Sequence, residues 1–226
     1  MKYLITVFAL VLATMTFAQK DVTKFLGIPV DGTKAEMMQK LKAKGFTYKN
    51  VSGIEYMEGE FNGHDVHIYV STNNNKVCRI MVSDINEVDE AQIKISYNKL
   101  VRQFENNERY ITLSDSYTIP DNEDISYNMS VKSKRYDAVF FQKPDLQLID
   151  TLALRNKITE EILTKYSKEQ LEKPTEEEFV KEMFNRYAYE LFGKKPVWFT
   201  ILERYGKYSI TMYYDNEYNR ANGDDL

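Results

Sequence analysis

The chain has 226 residues, a net charge of −4 at pH 7, 43% hydrophobic residues and a single cysteine. This length is enough for one sizeable hydrophobic core or two small ones packed together. A mildly acidic chain argues against nucleic acid as a partner, because nucleic-acid binders usually carry a basic face, and it offers no attraction to anionic lipid. One cysteine cannot form an intramolecular disulfide, so the fold must be held together by its core.

Residues 1–18 have the layout of a secretory signal peptide. Lys2 supplies the positive start, an apolar stretch runs from Tyr3 to Phe17, and Ala18 ends a cleavage motif of small residues. The apolar stretch is shorter than the roughly 20 residues that span a bilayer, although a retained membrane anchor is the alternative interpretation. We predict cleavage after Ala18, which leaves a soluble periplasmic or secreted protein with no membrane span.

Local signals in the first half predict a helix followed by antiparallel strands. Thr33 and Glu36 have the spacing of a capping box, which predicts a helix that begins there. Asn62 and Gly63 stand between two stretches of alternating residues and predict a β-hairpin with a type I′ turn. A third strand, around Cys78, extends the hairpin to a meander with one buried face.

The second half repeats this order with an insertion. Apolar residues at helical spacing predict a helix from Val88 to Asn106. The polar segment from Glu108 to Glu123, broken by Pro120, marks a boundary or a crossover. The remaining predicted elements are a strand at 134–142, helices at 158–171 and 179–191, and a terminal hairpin of 197–204 and 207–214.

These elements predict an α+β fold in which helices pack on one face of an antiparallel sheet. Strands and helices come in blocks rather than in strict alternation, which is typical of that class. A helix followed by antiparallel strands occurs twice, once from Thr33 and once, with an insertion, from Val88. The candidate units are residues 19–107, a helix and a meander, and residues 108–226, which carry the later strand, helices and hairpin. Two tandem helix-plus-strands units, packed as one globular domain, are therefore an open alternative to a single undivided unit.

No local motif for catalysis is found in the sequence. There is no nucleophile elbow and no phosphate-binding glycine loop. His64 and His67 are the only histidines, and residues three apart on a strand point to opposite faces, which argues against a shared metal. Cys78 is interpreted as a buried structural thiol on the face of Ile80 and Val82, because a catalytic cysteine needs an electropositive, partly exposed setting. We predict no cofactor.

The terminal hairpin carries the candidate binding residues. Trp198, Tyr208, Tyr213 and Tyr214 form a candidate aromatic recognition surface, because aromatic rings offer contact area at a low entropy cost. Alternation along the strand places Tyr208 and Tyr214 on one face and Tyr213 on the other. Ordinary strand packing is the alternative interpretation of these rings.

The tail after the hairpin has an incomplete resemblance to a calcium loop. Asp215, Glu217 and Asn219 fit positions 1, 3 and 5 of such a loop. Arg220 stands where the loop needs glycine, and Leu226 stands where it needs glutamate. A polar tail that caps turns is therefore preferred over a metal site.

Segments at both ends resemble an uncharacterised family of small exported bacterial proteins. They are Phe25 to Gly32, the following helix as far as Phe46, and the terminal segment from Tyr213 to Leu226. The resemblance implies export and a compact α+β domain, and it implies no known activity. In topology alone, the tandem helix-plus-strands order also resembles the β-lactamase-inhibitor-like fold, a family of binding modules.

The sequence as a whole predicts an exported binding or interaction module without catalytic activity, whose partner is a protein or a glycan. The alternative is an envelope hydrolase that acts on glycan or peptide. A deep pocket that holds carboxylates with raised pKa values would favour the hydrolase. A calcium-stabilised structural domain is the third possibility.

Overall fold

The computed structural model describes residues 20–145, 147, 150–164 and 177–221, so the predicted signal peptide lies outside the described residues. The strands are β1 (Lys24–Phe25), β2 (Ile28–Pro29), β3 (Thr47–Val51), β4 (Ile54–Phe61), β5 (His64–Asn73), β6 (Lys76–Asp84), β7 (Tyr110–Ile111), β8 (Asp137–Gln142), β9 (Pro196–Arg204) and β10 (Lys207–Asp215). The α-helices are α1 (Lys34–Ala43), α2 (Glu90–Glu105), α3 (Ile125–Lys132), α4 (Thr151–Leu163) and α5 (Glu177–Phe192). Within the described ranges, no helix combines the length and the apolar character that crossing a membrane requires.

Eight of the strands form one antiparallel sheet with the order β3-β4-β5-β6-β10-β9-β8-β7. Each half of this sheet is a four-stranded meander that follows a helix, α1 before β3 and α2 before β7. The final strands of the two meanders, β6 and β10, pair with each other at the centre. The predicted α+β class is confirmed, and the two meanders share one continuous sheet.

The local signals at turns and helix starts form the structures that they predict. The Thr33 hydroxyl accepts a hydrogen bond from the Glu36 amide at 3.3 Å, and the Glu36 carboxylate accepts one from the Thr33 amide at 2.9 Å. Asn62 and Gly63 both have positive φ angles, 54° and 80°, as a type I′ turn requires. The Asp89 side chain accepts from a backbone amide in the first turn of α2 and so fixes its start.

One hydrophobic core lies between the sheet and the helices α1, α2 and α3. The helices contribute buried residues on one face each, among them Met37, Leu41, Ile93, Tyr97, Val101 and Ile125. Alternate residues of the central strands meet them, among them Ile68, Ile80, Val82, Phe140, Phe199 and Ile210. The helices α4 and α5 instead pack on each other around Ile158 and Ile162. Their hairpin is an insertion between β8 and β9.

Two helices differ from the sequence prediction. Helix α3 lies just after the segment predicted as a polar boundary, and its first turn is capped by the Asp124 side chain. Helix α4 begins at Thr151 rather than at 158, because the Asp150 carboxylate accepts hydrogen bonds from two amides of its first turn. Residues 165–171 of the predicted helix lie outside the described part of the chain.

The position of Cys78 also differs from the prediction. Ser71 on β5 pairs with Arg79 on β6, but the next pair on that ladder involves Val77, so Cys78 is skipped. This bulge gives Val77 the buried position on the core face and leaves Cys78 half-buried, rather than in line with Ile80. Burial raises the pKa of the Cys78 thiol, which lowers its thiolate fraction and its reactivity.

Candidate functional site

Helices α1, α2 and α3 all pack on one face of the sheet, and the opposite face is called the outer face here. Its strand residues are those that alternate with the core positions. The large apolar strand residues on the outer face are Val51, Ile54, Tyr56, Tyr69, Met81, Ile111, Val139, Phe141, Trp198, Leu202 and Tyr213. Ile54 is 60% exposed and Leu202 is 44% exposed. A sheet face in contact with water normally carries polar side chains, so this set indicates an interaction surface.

The centre of the outer face is a row of residues that pair directly across five strands. Tyr69 pairs with Met81, Met81 with Tyr213, Tyr213 with Trp198, and Trp198 with Val139. We call these five residues the aromatic row. Directly paired residues on one face have neighbouring side chains, so the row is a continuous apolar strip.

Trp198 and Tyr213 form the closest contact within the aromatic row. Their ring centroids are 3.9 Å apart, and the planes are inclined by only 16°. The guanidinium carbon of Arg79 lies 4.9 Å from the centroid of Tyr213 and 5.6 Å from that of Trp198. A cation at these distances is attracted by the quadrupoles of the rings, which holds the three side chains together.

The carboxylate of Asp215 holds the side chains of Arg79 and Trp198 in place. Its two carboxylate oxygens accept hydrogen bonds from Arg79, at 2.5 Å from Nε and at 2.7 Å from Nη2. One of them also accepts from the indole Nε1 of Trp198 at 3.0 Å. The hydrogen bond with Asp215 is the main reason that the pKa of Arg79 is raised above its ordinary value. The carboxylate thus sets the orientation of both the guanidinium and the indole.

A second aromatic group extends the row towards β4. Tyr56 lies 4.4 Å from the ring of His67 and 5.7 Å from that of Tyr69, measured between centroids. His67 also approaches the carboxylate of Glu58, with 3.5 Å between Nε2 and Oε2. Burial, and then the neighbouring Tyr56, raise the pKa of Tyr69, so its hydroxyl stays protonated at neutral pH. Aromatic side chains thus extend from β4 to β9 on the outer face.

The structure separates the four aromatic residues that the sequence proposes as a surface. It brings Trp198 and Tyr213 together on the outer face. Tyr208 and Tyr214 are buried in the core on the opposite face. The Tyr208 hydroxyl shares a hydrogen bond of 2.6 Å with the hydroxyl of Ser126, and burial raises the pKa of Tyr214 well above its ordinary value. For these two residues ordinary strand packing is the correct interpretation, and we remove them from the candidate surface.

The carboxylates of Asp215 and Glu217, which are proposed as calcium ligands, are already engaged by cations. The Asp215 carboxylate is held by Arg79 and the indole, and Glu217 forms an ion pair of 3.1 Å with Arg220. The Asn219 amide donates to a carboxylate and to a backbone carbonyl. Across the described ranges, no group of three or more His, Cys, Asp or Glu side chains is arranged to hold a metal ion. The calcium interpretation therefore has no support in this geometry.

The two histidines lie on opposite faces, as the strand alternation predicts. His64 is on the helix side, where its Nδ1 is 3.7 Å from a carboxylate oxygen of Asp84. Burial raises the pKa of Asp84, while His64 lowers it to a smaller extent. Both line a cleft of about 210 Å³ in which Asp84 is the one carboxyl group among the described lining residues. His64 and Asp84 also line a neighbouring cleft of about 310 Å³, where Glu60 and Asp65 supply two further carboxyl groups.

Several members of the site are not predicted from the sequence. Arg79 and Met81 lie on β6 in the first meander, whereas Trp198 and Tyr213 lie in the second. The alternation of residues along β6 does predict from the sequence that Arg79 and Met81 share a face. The pairing of β6 with β10 has no local signal, and that pairing assembles the site.

Comparison with protein families, with curated proteins and with solved structures finds no match for this chain. The resemblance to an exported bacterial family and the topological resemblance to the β-lactamase-inhibitor-like fold both stay predictions. A fold alone does not define an activity, so function is inferred from the side chains of the outer face.

Proposed function

We propose that the protein is an exported interaction module that binds another protein through its outer face. The observation that carries this proposal is the group of Trp198, Tyr213 and Arg79 at the centre of the aromatic row. Tryptophan, tyrosine and arginine are the residue types that dominate the binding energy of protein interfaces. They lie here among other apolar side chains, in the place where an interface has its core.

The group is held in one arrangement before any partner binds. Asp215 holds the Arg79 guanidinium with two hydrogen bonds and the Trp198 indole with a third. Side chains that are already ordered lose little conformational entropy on association, so more of the contact energy remains as affinity. Ordered rings of this kind act as rigid anchors in known binding surfaces.

The stacking of the two rings favours a protein over a glycan. Trp198 and Tyr213 stack on neighbouring strands, and the Arg79 guanidinium lies over both rings. A sugar ring packs flat on an exposed ring face, and the facing sides of these two rings are covered by each other.

The surroundings of the row have the composition of an interface rim. Lys49 and Glu58 lie 3.7 Å apart on one side, and Arg135 and Asp137 lie 3.1 Å apart on the other, measured between charged atoms. Both pairs are partly exposed, so they remain available to a partner. An apolar centre with a polar, solvent-accessible rim is typical of protein interfaces.

Affinity capture with matched variants tests this proposal. The protein is immobilised, exposed to envelope extract of the producing cell, and the eluate is identified by mass spectrometry. We expect a stoichiometric protein partner that is lost with Trp198→Ala and with Leu202→Glu, the second of which alters an exposed side chain and leaves the core intact. Tyr127→Ala, an exposed tyrosine on α3, is the control and should retain the partner. Equal capture by all variants would argue against the outer face.

Export is part of the proposal and has its own test. The layout of residues 1–18 supports it, with a positive start, an apolar stretch and small residues before Ala18. We expect the protein isolated from the cell envelope or the medium to begin at Gln19, as measured by the mass of its N-terminal peptide. Recovery of the uncleaved chain in the cytoplasm would contradict export. The alternative of an envelope hydrolase would rest on Asp84, whose pKa is raised by burial, together with Glu60 and Asp65 in the cleft that the three residues share.

A further inference from the structure

A second site lies on the helix side of the sheet, away from the aromatic row. Helix α1 packs on β3 to β6, and α2 packs on β10 and β7. A cleft of about 910 Å³ remains between the C-terminal ends of the two helices, beside the β1–β2 hairpin. This volume lies within the ordinary range of small-molecule sites.

The floor of this cleft is apolar. It is formed by Phe46 beyond the end of α1, by Phe104 on α2, and by Phe61, Met212 and Tyr214 on the strands. Phe61 is partly exposed, and the other four are buried among the core residues. An alkyl chain that bound to this floor would be shielded from water, and so would the apolar side chains that form the floor. Both effects favour binding.

The rim of the cleft is basic, although the protein as a whole is acidic. Among the described lining residues, four are exposed cations, namely Lys24, Lys44, Arg109 and Lys143, and two are carboxylates. Among the described residues, no salt bridge joins Lys24, Lys44 or Lys143 to a carboxylate. Because the net charge of the chain is −4, this local excess of positive charge is not a general property of its surface.

A strained leucine stands at the lip of the same cleft. Leu26 has a φ of 52° at the tip of the β1–β2 hairpin, and its side chain is 38% exposed. Leucine rarely adopts this left-handed conformation, which asparagine or glycine adopts at a lower cost. The Leu26–Gly27 turn has the same backbone form as Tyr205–Gly206, and what distinguishes it is that its exposed apolar side chain stands at the mouth of a cleft.

We propose that this cleft binds an anionic amphiphile, specifically a free long-chain fatty carboxylate. The apolar floor and Leu26 contact the alkyl chain, and the rim cations Lys24, Lys44 and Lys143 bind the carboxylate. Partly exposed lysines suit a charged head group that remains in contact with water. This inference uses the helix side of the sheet and does not depend on the function proposed for the outer face.

Displacement of a fluorescent fatty acid tests the proposal. The purified protein is titrated with dansylaminoundecanoic acid, and palmitate is added as a competitor. We expect saturable binding that palmitate reverses, and at least about tenfold weaker competition by hexadecyltrimethylammonium, which has the same chain and the opposite charge. No saturable binding, or equal competition by the cation, would overturn the proposal. Binding only to phosphatidylglycerol vesicles, without displacement by palmitate, would also overturn it.

Lysine variants locate the bound head group. The triple variant with Lys24→Ala, Lys44→Ala and Lys143→Ala should raise the dissociation constant of the probe about tenfold, with the effect reduced at high salt. The matched control, Lys42→Ala with Lys76→Ala and Lys207→Ala, removes three exposed lysines that do not line the cleft and should change the dissociation constant less than about twofold. Equal effects of the two variants would contradict a head-group site on this rim.

Leu26→Asn separates binding from stability. Asparagine tolerates the left-handed backbone, so the melting temperature should stay the same or rise. The apolar lip is lost, so the affinity for the probe should fall severalfold while the charge of the rim is unchanged. If Leu26→Asn leaves both the melting temperature and the affinity for the probe unchanged, Leu26 does not contact the ligand. If the triple lysine variant also leaves the affinity unchanged, the proposal is overturned.

Discussion

The Arg79–Asp215 pair gives the most quantitative prediction. The Asp215 side chain is 5% exposed, whereas that of Arg79 is 31% exposed. Removing either partner leaves the other charge without its counterion. The free-energy cost of such an unpaired charge is larger the more deeply the charge is buried. Arg79→Met should therefore destabilise the protein more than Asp215→Asn, since it removes both guanidinium donors whereas asparagine retains one acceptor oxygen.

The magnitudes follow from the two exposures. Breaking a buried ion pair costs about 3–5 kcal/mol, and an exposed pair contributes only about 0–1 kcal/mol. Arg79→Met leaves an almost completely buried carboxylate, so we expect a loss of about 3 kcal/mol, or about 6–12 °C in melting temperature. Asp215→Asn leaves a guanidinium that can turn towards water, so we expect a loss of about 1.5 kcal/mol.

Urea unfolding monitored by circular dichroism measures these losses. Trp198 is the single tryptophan and donates to Asp215, so its fluorescence reports locally on the same pair. The double variant should lose less than the sum of the two single losses, because neither charge is then left unpaired. The reasoning is refuted if Asp215→Asn is the more damaging change, or if Arg79→Met costs less than about 0.5 kcal/mol.

Three further predictions concern stability alone. Tyr205 occupies a left-handed turn position with its ring in solvent, so Tyr205→Asn should raise the free energy of unfolding by about 0.5–1 kcal/mol in urea titrations. Thr33→Ala removes the hydroxyl that caps α1 and should lower it by about 1 kcal/mol, whereas Glu36→Gln retains an acceptor and should cost less. Burial raises the pKa of Asp84, so its proton is bound more tightly in the folded state, and stability is lost as the pH rises through that raised pKa. Asp84→Asn should therefore stabilise the protein at about pH 7 but not at about pH 3, and the opposite pH dependence would contradict this account.

The parts of the fold that the sequence predicts well are those with local signals. The Asn62–Gly63 turn, the first helix and α2 depend on residues within a few positions of each other, and all three form as predicted. Alternation also predicts that Tyr208 and Tyr214 share a face while Tyr213 lies opposite. It does not indicate which face the helices cover, so the two buried tyrosines are wrongly included in the candidate surface.

The candidate site itself depends on contacts that no local pattern encodes. Arg79 and Asp215 are 136 residues apart, and they meet because β6 and β10 pair at the centre of the sheet. The bulge at Cys78 likewise depends on the register with β5, which the sequence of β6 alone does not determine. Long-range pairing and register are therefore the two things that the structure adds.

Photo-crosslinking in the producing cell tests the central claim most directly. A benzoylphenylalanine placed at Leu202 lies beside the aromatic row on the outer face, and one placed at Val131 lies on α3, on the other side of the sheet. Both positions are exposed, so neither substitution disturbs the core. We predict a protein adduct at position 202 that Trp198→Ala abolishes, and none at 131. An adduct at 131 alone, or one at 202 that survives Trp198→Ala, would contradict recognition through the outer face.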